Sequence, residues 1–186
     1  MKAIPLYLSI VILCFSQDKP IAKLITQSGV LPEYTHMGEE FLKNQFQKEF
    51  DFLSEDKLSF YLDSIRSDRT FSKEITKQKI EERFGLTHEL EWKILDQYTE
   101  VSKVIWYPFA GDKTMTLTIQ ARLKSSDSTL VQAVYKADTT EREWFCGGIE
   151  CEIPEWNSEQ KSRIRKTLLK QNLASFAAEV KSALEK

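Results

Sequence analysis

Met115-Thr116-Leu117-Thr118-Ile119-Gln120-Ala121-Arg122-Leu123 sets five apolar side chains in strict alternation with four polar ones. Successive side chains of a strand point to opposite faces, so the pattern specifies a strand with one face buried and the other wet. Upstream, Val104 to Phe109 is a dense aromatic and β-branched run that reads as a second strand. Ala110, Gly111, Asp112 and Lys113 then serve as the hairpin loop between the two. Downstream, Ser125 to Ser128 makes another turn and delivers a third strand at Thr129 to Ala137. A last pair, Glu141 to Cys146 and Glu150 to Ile153, completes an antiparallel meander that Pro154 ends.

Beyond the meander, Asn157 with Gln160 three residues on has the form of a capping box. Ile164, Leu168, Leu169, Leu173, Phe176, Val180 and Leu184 follow as an apolar stripe. A helix over 158–184 would measure about 40 Å, enough to lie across a sheet.

Before the meander, Phe41, Leu42, Phe46, Phe50 and Leu53 share one helical face behind Thr35 as a cap, which predicts a first helix of about five turns. Ser54, Glu55 and Asp56 start a second. A third runs from Phe71 to Phe84 and stops at Gly85, the residue best able to take a left-handed terminal conformation. Residues 88–98 satisfy a strand pattern (His88, Leu90, Trp92, Ile94) and a helix pattern (Leu90, Ile94, Leu95, Tyr98) at once, and periodicity leaves the choice open.

The fold class is therefore α+β: N-terminal helices, a curved antiparallel meander and a long C-terminal helix. This layout resembles the cystatin-like and ketosteroid-isomerase-like cones, in which a curved sheet wraps a helix. The resemblance is one of element order, and fold analogy transfers no function.

The first residues supply a different kind of information. Lys2 precedes Leu6 to Phe15, an apolar run broken only by Ser9, which fits the core of a signal peptide and falls short of the roughly 20 residues a membrane span needs. Cleavage after Ser16 makes residues 1–16 the signal, 17–32 a linker and 33–186 a single domain, with a periplasmic or extracellular location. Lipid modification of Cys14 is the alternative and the one route to a membrane; Leu13 is large for it.

Composition is that of a globular chain, 41% hydrophobic and 29% charged, with net charge -2. No basic excess is present, so nucleic acid is not an expected partner. In the exported chain Cys146 and Cys151 form an even pair and are expected to make a disulfide. A four-residue loop between them sets them face to face, whereas a turn at Gly147-Gly148 alone makes them strained diagonal neighbours. Four intervening residues are too many for a thioredoxin-like redox motif.

His36 and His88 are the only histidines, and their spacing with the cysteines matches no zinc motif, so neither a metal nor a cofactor is expected. No Gly-x-Ser-x-Gly elbow presents a nucleophile, and Gly111-Asp112-Lys113-Thr114 lacks the glycines of a phosphate loop. The basic run Lys161, Arg163, Arg165, Lys166 and Lys170 reads as a solvated helix face. Trp106, Tyr107 and Phe109 are the candidate ligand-binding residues, because a strand apolar on both sides must be covered on both, by protein or by ligand. The functional expectation is a non-enzymatic exported module for a small apolar ligand or a partner protein. A hydrolase or isomerase using an Asp or Glu with a Tyr inside a sheet cavity is the alternative.

Overall fold

The alternating stretch becomes β4 (Ala110–Ser125), the penultimate strand of a five-stranded sheet in the order β2-β1-β3-β4-β5. The computed structural model describes residues 19–27, 30–66, 73–103, 110–126, 128–144 and 155–185. The other elements are β1 (Ile21–Thr26), α1 (Pro32–Gln45), β2 (Asp51–Phe52), α2 (Glu55–Arg66), α3 (Lys73–Phe84), β3 (Leu86–Lys103), β5 (Thr129–Trp144) and α4 (Ser158–Leu184). The fold is α+β with a long C-terminal helix, and its sheet is curved and not closed.

β3, β4 and β5 form the expected antiparallel meander, but β1 and β2 add parallel pairings at the free side of β3, so the sheet is mixed. The segment expected as a linker thus contains a strand held on both sides. Ile21-Ala22-Lys23-Leu24-Ile25-Thr26 carries apolar residues on both parities, as an internal parallel strand does, and so lacks the period that would mark it.

Hairpin boundaries also differ from expectation. Residues 88–98 are strand, and β3 continues to Lys103, which pairs with Gly111. Ala110 to Lys113 therefore belong to β4 rather than to a loop. β5 is one strand through Trp144, where two were expected with a break between 137 and 141. The expected strand over 150–153 lies outside the described residues.

Odd-numbered β4 residues face inward, and Met115, Leu117, Ile119, Ala121 and Leu123 are all buried. On β3 the inward residues are first Leu90 and Trp92, then, past a register shift between Ile94 and Asp96, Gln97 and Thr99. The extra residue, Leu95, reverses the parity of everything after it. Without the bulge Asp96 would point into the core; with it, Asp96 stands opposite outward-facing Thr118.

α4 lies on this inner face with Leu168, Leu169, Leu173, Phe176, Ala177 and Val180 buried against β4 and β5. It begins as expected: Gln160 N donates to Asn157 Oδ1 at 2.8 Å, and Asn157 N donates to Gln160 Oε1 at 2.9 Å. One buried polar side chain interrupts the stripe. Asn172 Nδ2 donates to Leu117 O at 2.9 Å, which registers the helix against the centre of β4. α1 covers the β1–β3 side through Leu42 and Phe46 and also packs on α4.

α1 starts at Pro32 rather than near Thr35, because proline at the first helical position has no N–H to satisfy and a pre-set φ. It stops at Gln45, earlier than the stripe implies. Phe46 and Phe50, ring centroids 6.0 Å apart, lead the chain in a turn to β2. α3 ends where Gly85 takes φ +62°.

The right-handed rule for crossovers between parallel strands sets the side on which each connection runs. Moving from β1 to β2 puts α1 on the inner face, so the return over β1 to β3 carries α2 and α3 to the outer one. Glu81 of α3 accordingly borders the same cleft as Glu89 and Lys124, whose neighbours Leu90 and Leu123 point inward.

Candidate binding surfaces

Because α1 and α4 fill the inner face, surface open to a partner lies elsewhere. The even-numbered side chains of β4 (Asp112, Thr114, Thr116, Thr118, Gln120, Arg122, Lys124) project outward as a polar row. It is knit locally: Arg142 holds Asp112 through Nε at 2.8 Å and Nη2 at 3.1 Å, and the Thr114 and Thr140 hydroxyls are 2.9 Å apart. The Arg142 hydrogen bond, aided by its charge, keeps the Asp112 carboxyl below its ordinary value. Among these polar groups Tyr98 and Val134 face out, 41% and 56% exposed, with Leu95 at the bulge.

α2 carries exposed apolar surface of its own. None of its described side chains is buried, and Phe60 is 81% exposed. Tyr61 secures the helix to α3 by an edge contact with Phe84 at 5.4 Å and a long hydrogen bond to Lys79 O. Phe60, adjacent in sequence, is turned about 100° around the helix axis from this contact.

Glu91 anchors the junction of β1, β3 and β4. Its carboxylate accepts from Gln27 Nε2 and, as an ion pair, from Nε and Nη2 of Arg122, directly opposite on β4. Burial by itself pushes this carboxyl up. Hydrogen bonds from Gln27 and Arg122, with the charges of Arg122 and Lys124, outweigh burial and hold it below its ordinary value. A depressed carboxyl stabilises the fold above its unfolded value and loses that contribution as pH falls through the folded one. Acid titration is therefore expected to lower the urea midpoint below about pH 4.3, the ordinary glutamate value, and less steeply in Glu91→Gln. Equal slopes for the two proteins would remove Glu91 from this role.

Tyrosine and carboxylate do meet once among the described contacts. Tyr135 Oη donates to Glu179 Oε2 at 2.5 Å, where β5 meets α4. Burial, followed by the Glu179 hydrogen bond and charge, raises the phenol pKa above its ordinary value. The phenol stays protonated and ties helix to strand, with its ring against Phe176 at 5.9 Å. Glu179 is exposed, so the pair does not form the buried acid and tyrosine that the enzymatic alternative requires.

At the far end of the inner face the lining turns polar. Lys113, 2% exposed, stands 5.2 Å from the Trp156 ring, and Trp156 Nε1 donates to Glu141 Oε2 at 2.5 Å. With its oxygen turned toward α4, the Gln97 amide accepts from Arg165 Nε and Nη2 at 2.7 and 2.8 Å. Lys161 pairs with Glu155 and Lys166 with Glu33. Several cations of the α4 basic run are thus matched to acceptors of neighbouring segments.

Trp106, Tyr107 and Phe109, the sequence-derived ligand residues, lie outside the described residues, as do Cys14, Cys146 and Cys151. His36 sits on the exposed face of α1 beside Glu40, and His88 lies on β3 beside Phe50. Among the described residues no group of three or more His, Cys, Asp or Glu is placed to hold a metal ion. Phe60 and the Glu91 cluster were not singled out by sequence. Phe60 is one apolar residue within an amphipathic pattern, and Glu91 meets Arg122 only through strand register.

No known family model and no curated protein matches this chain. Solved structures similar to it include a minor lipoprotein from Acinetobacter baumannii, 5% identical over 87% of this chain and 90% of that one, with a TM-score of 0.43. A hypothetical protein from Chlamydia trachomatis is 12% identical over 88% and 98%, with a TM-score of 0.42. The rare lipoprotein B from Shewanella oneidensis is 10% identical over 89% and 93%, with a TM-score of 0.35.

Proposed function

We propose that this chain is an exported, non-catalytic interaction module that holds a partner protein on α2 and the outer face of its sheet. The observation that carries the reading is where apolar surface remains: the inner face is packed by α1 and α4, while Phe60, Tyr98 and Val134 stay exposed. Aromatic side chains set among polar ones are the composition of a protein-binding patch. A small apolar ligand is the less favoured occupant, because the sheet's inner face already has its cover. Export rests on the apolar run Leu6 to Phe15, and anchoring through Cys14 is its membrane-bound variant.

Photo-crosslinking in the cell of origin tests the reading. With a photoreactive residue at position 60 or 98, the same protein adduct is expected from both, and none from position 170 on the solvent side of α4. Absence of an adduct at 60 and 98, or the same adduct at 170, overturns it.

A further inference from the structure

The two edges of the sheet differ in length. β2, at one edge, has two residues, whereas β5, at the other, has 16 and no neighbour beyond it among the described residues. A long edge strand is a template for another strand, and proteins commonly blunt it with proline, bulges or shortness. β5 has no proline, and its one register shift lies at its start, opposite Leu123 and Lys124, so Val131 to Arg142 run regular.

Backbone parity fixes which residues of β5 have groups to offer. Trp92 O accepts from Gln27 N at 3.2 Å, so the peptide groups of Trp92 turn toward β1 and those of Glu91 and Lys93 toward β4. Their partners Arg122 and Gln120 are thereby spent on β3, which leaves Ala121 and Ile119 to exchange bonds with Ala133 and Tyr135 of β5. Odd-numbered residues of β5 are therefore bonded to β4. The N–H and C=O groups of Gln132, Val134, Lys136, Asp138 and Thr140 point out of the open edge.

The side chains along that edge select what can pair with it. Lys136 and Asp138 are both exposed, both on the outer face, and stand opposite Thr118 and Thr116 of β4 rather than opposite charges. Neither has a hydrogen bond or ion pair among the described residues. In a two-fold pair of antiparallel strands centred on Ala137, Lys136 of each copy lies directly opposite Asp138 of the other in a hydrogen-bonded pair. Two ion pairs result. Ala137 meets its own copy in the non-hydrogen-bonded position, where Cα atoms approach to about 4.5 Å and a small side chain suits the space. Neighbouring centres lack this match: on 136 lysine faces lysine, on 138 aspartate faces aspartate, and on 135 Lys136 faces Val134.

We infer that two copies of this chain pair edge to edge through β5, centred on Ala137, to form one continuous sheet. The two-fold axis stands perpendicular to that sheet, so both outer faces lie on the same side and the exposed surface around Tyr98 and Val134 is doubled. The inference uses the edge of the strand and not the partner proposed for its face, so either can fail alone.

Sedimentation velocity of the exported chain, residues 17–186, under reducing conditions and over a concentration series reaching the millimolar range, tests it. A reversible monomer–dimer equilibrium is expected. Amides of Gln132, Val134, Lys136, Asp138 and Thr140 should resist hydrogen exchange only in the dimer, and those of Ala133, Tyr135 and Ala137 in both states. Lys136→Glu and Asp138→Lys, each of which turns two attractive pairs into two repulsive ones, are expected to weaken dimerisation at least about tenfold. An equimolar mixture of the two variants is expected to dimerise like the unaltered chain, because each mixed pair again sets an anion opposite a cation at both positions. That rescue also excludes misfolding as the cause of the loss. A chain monomeric throughout the series overturns the inference. So does a dimer unaffected by either variant, a mixture that stays monomeric, or protection confined to other segments.

Discussion

Replacing Phe176 by alanine is expected to lower the unfolding free energy by about 3–5 kcal/mol, the range for truncating a fully buried aromatic. Phe176 is 0% exposed and central to α4, with its ring 5.9 Å from that of Tyr135 at 60°. Loss of the ring removes the transfer energy of its carbons and the edge contact with Tyr135, and leaves a cavity. Neighbours cannot close that cavity cheaply, because Asn172, one turn away, pins the helix to Leu117 O. Domains of ordinary stability hold about 5–15 kcal/mol, so the variant approaches its unfolding threshold at room temperature. Phe60→Ala, which removes the same ring from a site 81% exposed, is expected to change stability by no more than about 0.5 kcal/mol. Urea denaturation of both variants separates the two cases. A loss below about 1 kcal/mol for Phe176→Ala would mean that α4 does not dock on the sheet as described.

Gly38→Ala is the second large effect, and its sign runs against helix propensity. In an exposed helix interior the change gains about 1 kcal/mol, because glycine gives up more backbone freedom on folding. Here a β-carbon at position 38 would stand 2.5 Å from Trp92 Cζ2, closer than any unstrained contact. Trp92 is 1% exposed, within the core cluster that includes Tyr34, Leu42 and Leu90, and has no solvent side to move into. The overpacking cost, about 1–3 kcal/mol and at times more, outweighs the propensity gain at a contact this close, giving a net loss of up to about 2 kcal/mol. A double-mutant cycle with Trp92→Leu isolates the cause: Gly38→Ala should become neutral or stabilising once the indole is gone. If it destabilises as much without the indole, the close approach is not the reason for glycine.

The meander and closing helix were legible because their signals are local. β4 alternates over nine residues without interruption, and Asn157 and Gln160 cap α4 as the spacing implies. β3 was ambiguous because of a single residue: Leu95 is inserted at the bulge, so the parity before it contradicts the parity after it. β5 looked like two strands because its inward positions turn polar at Thr139 and Glu141, where the facing surface is Lys113 and Trp156 rather than aliphatic core. β1 was missed for want of a period, and no local signal reveals that two parallel neighbours hold it.

The binding surfaces were less accessible to sequence reading. Phe60, Tyr98 and Val134 come from three elements, and only the strand register shows that Tyr98 and Val134 point to the same face of the sheet. Trp106, Tyr107 and Phe109, candidates for covering by the closing helix or by a ligand, lie outside the described residues; along the described strands α4 and α1 cover the sheet's inner face.

The order β2-β1-β3 also has a consequence for how the chain acquires its structure. Ile21 pairs with Leu86, so β1 has no β3 template until more than sixty further residues are available. β4 and β5, by contrast, join over a short turn. Loop closure makes distant pairings slower than local ones. The β3–β4–β5 hairpins therefore form a platform that precedes β1, and the N-terminal strand enters last, into a slot whose two walls both lie later in the sequence. A chain arranged in this way gains no more native sheet than the two-residue β1–β2 pairing while only its first third has been made.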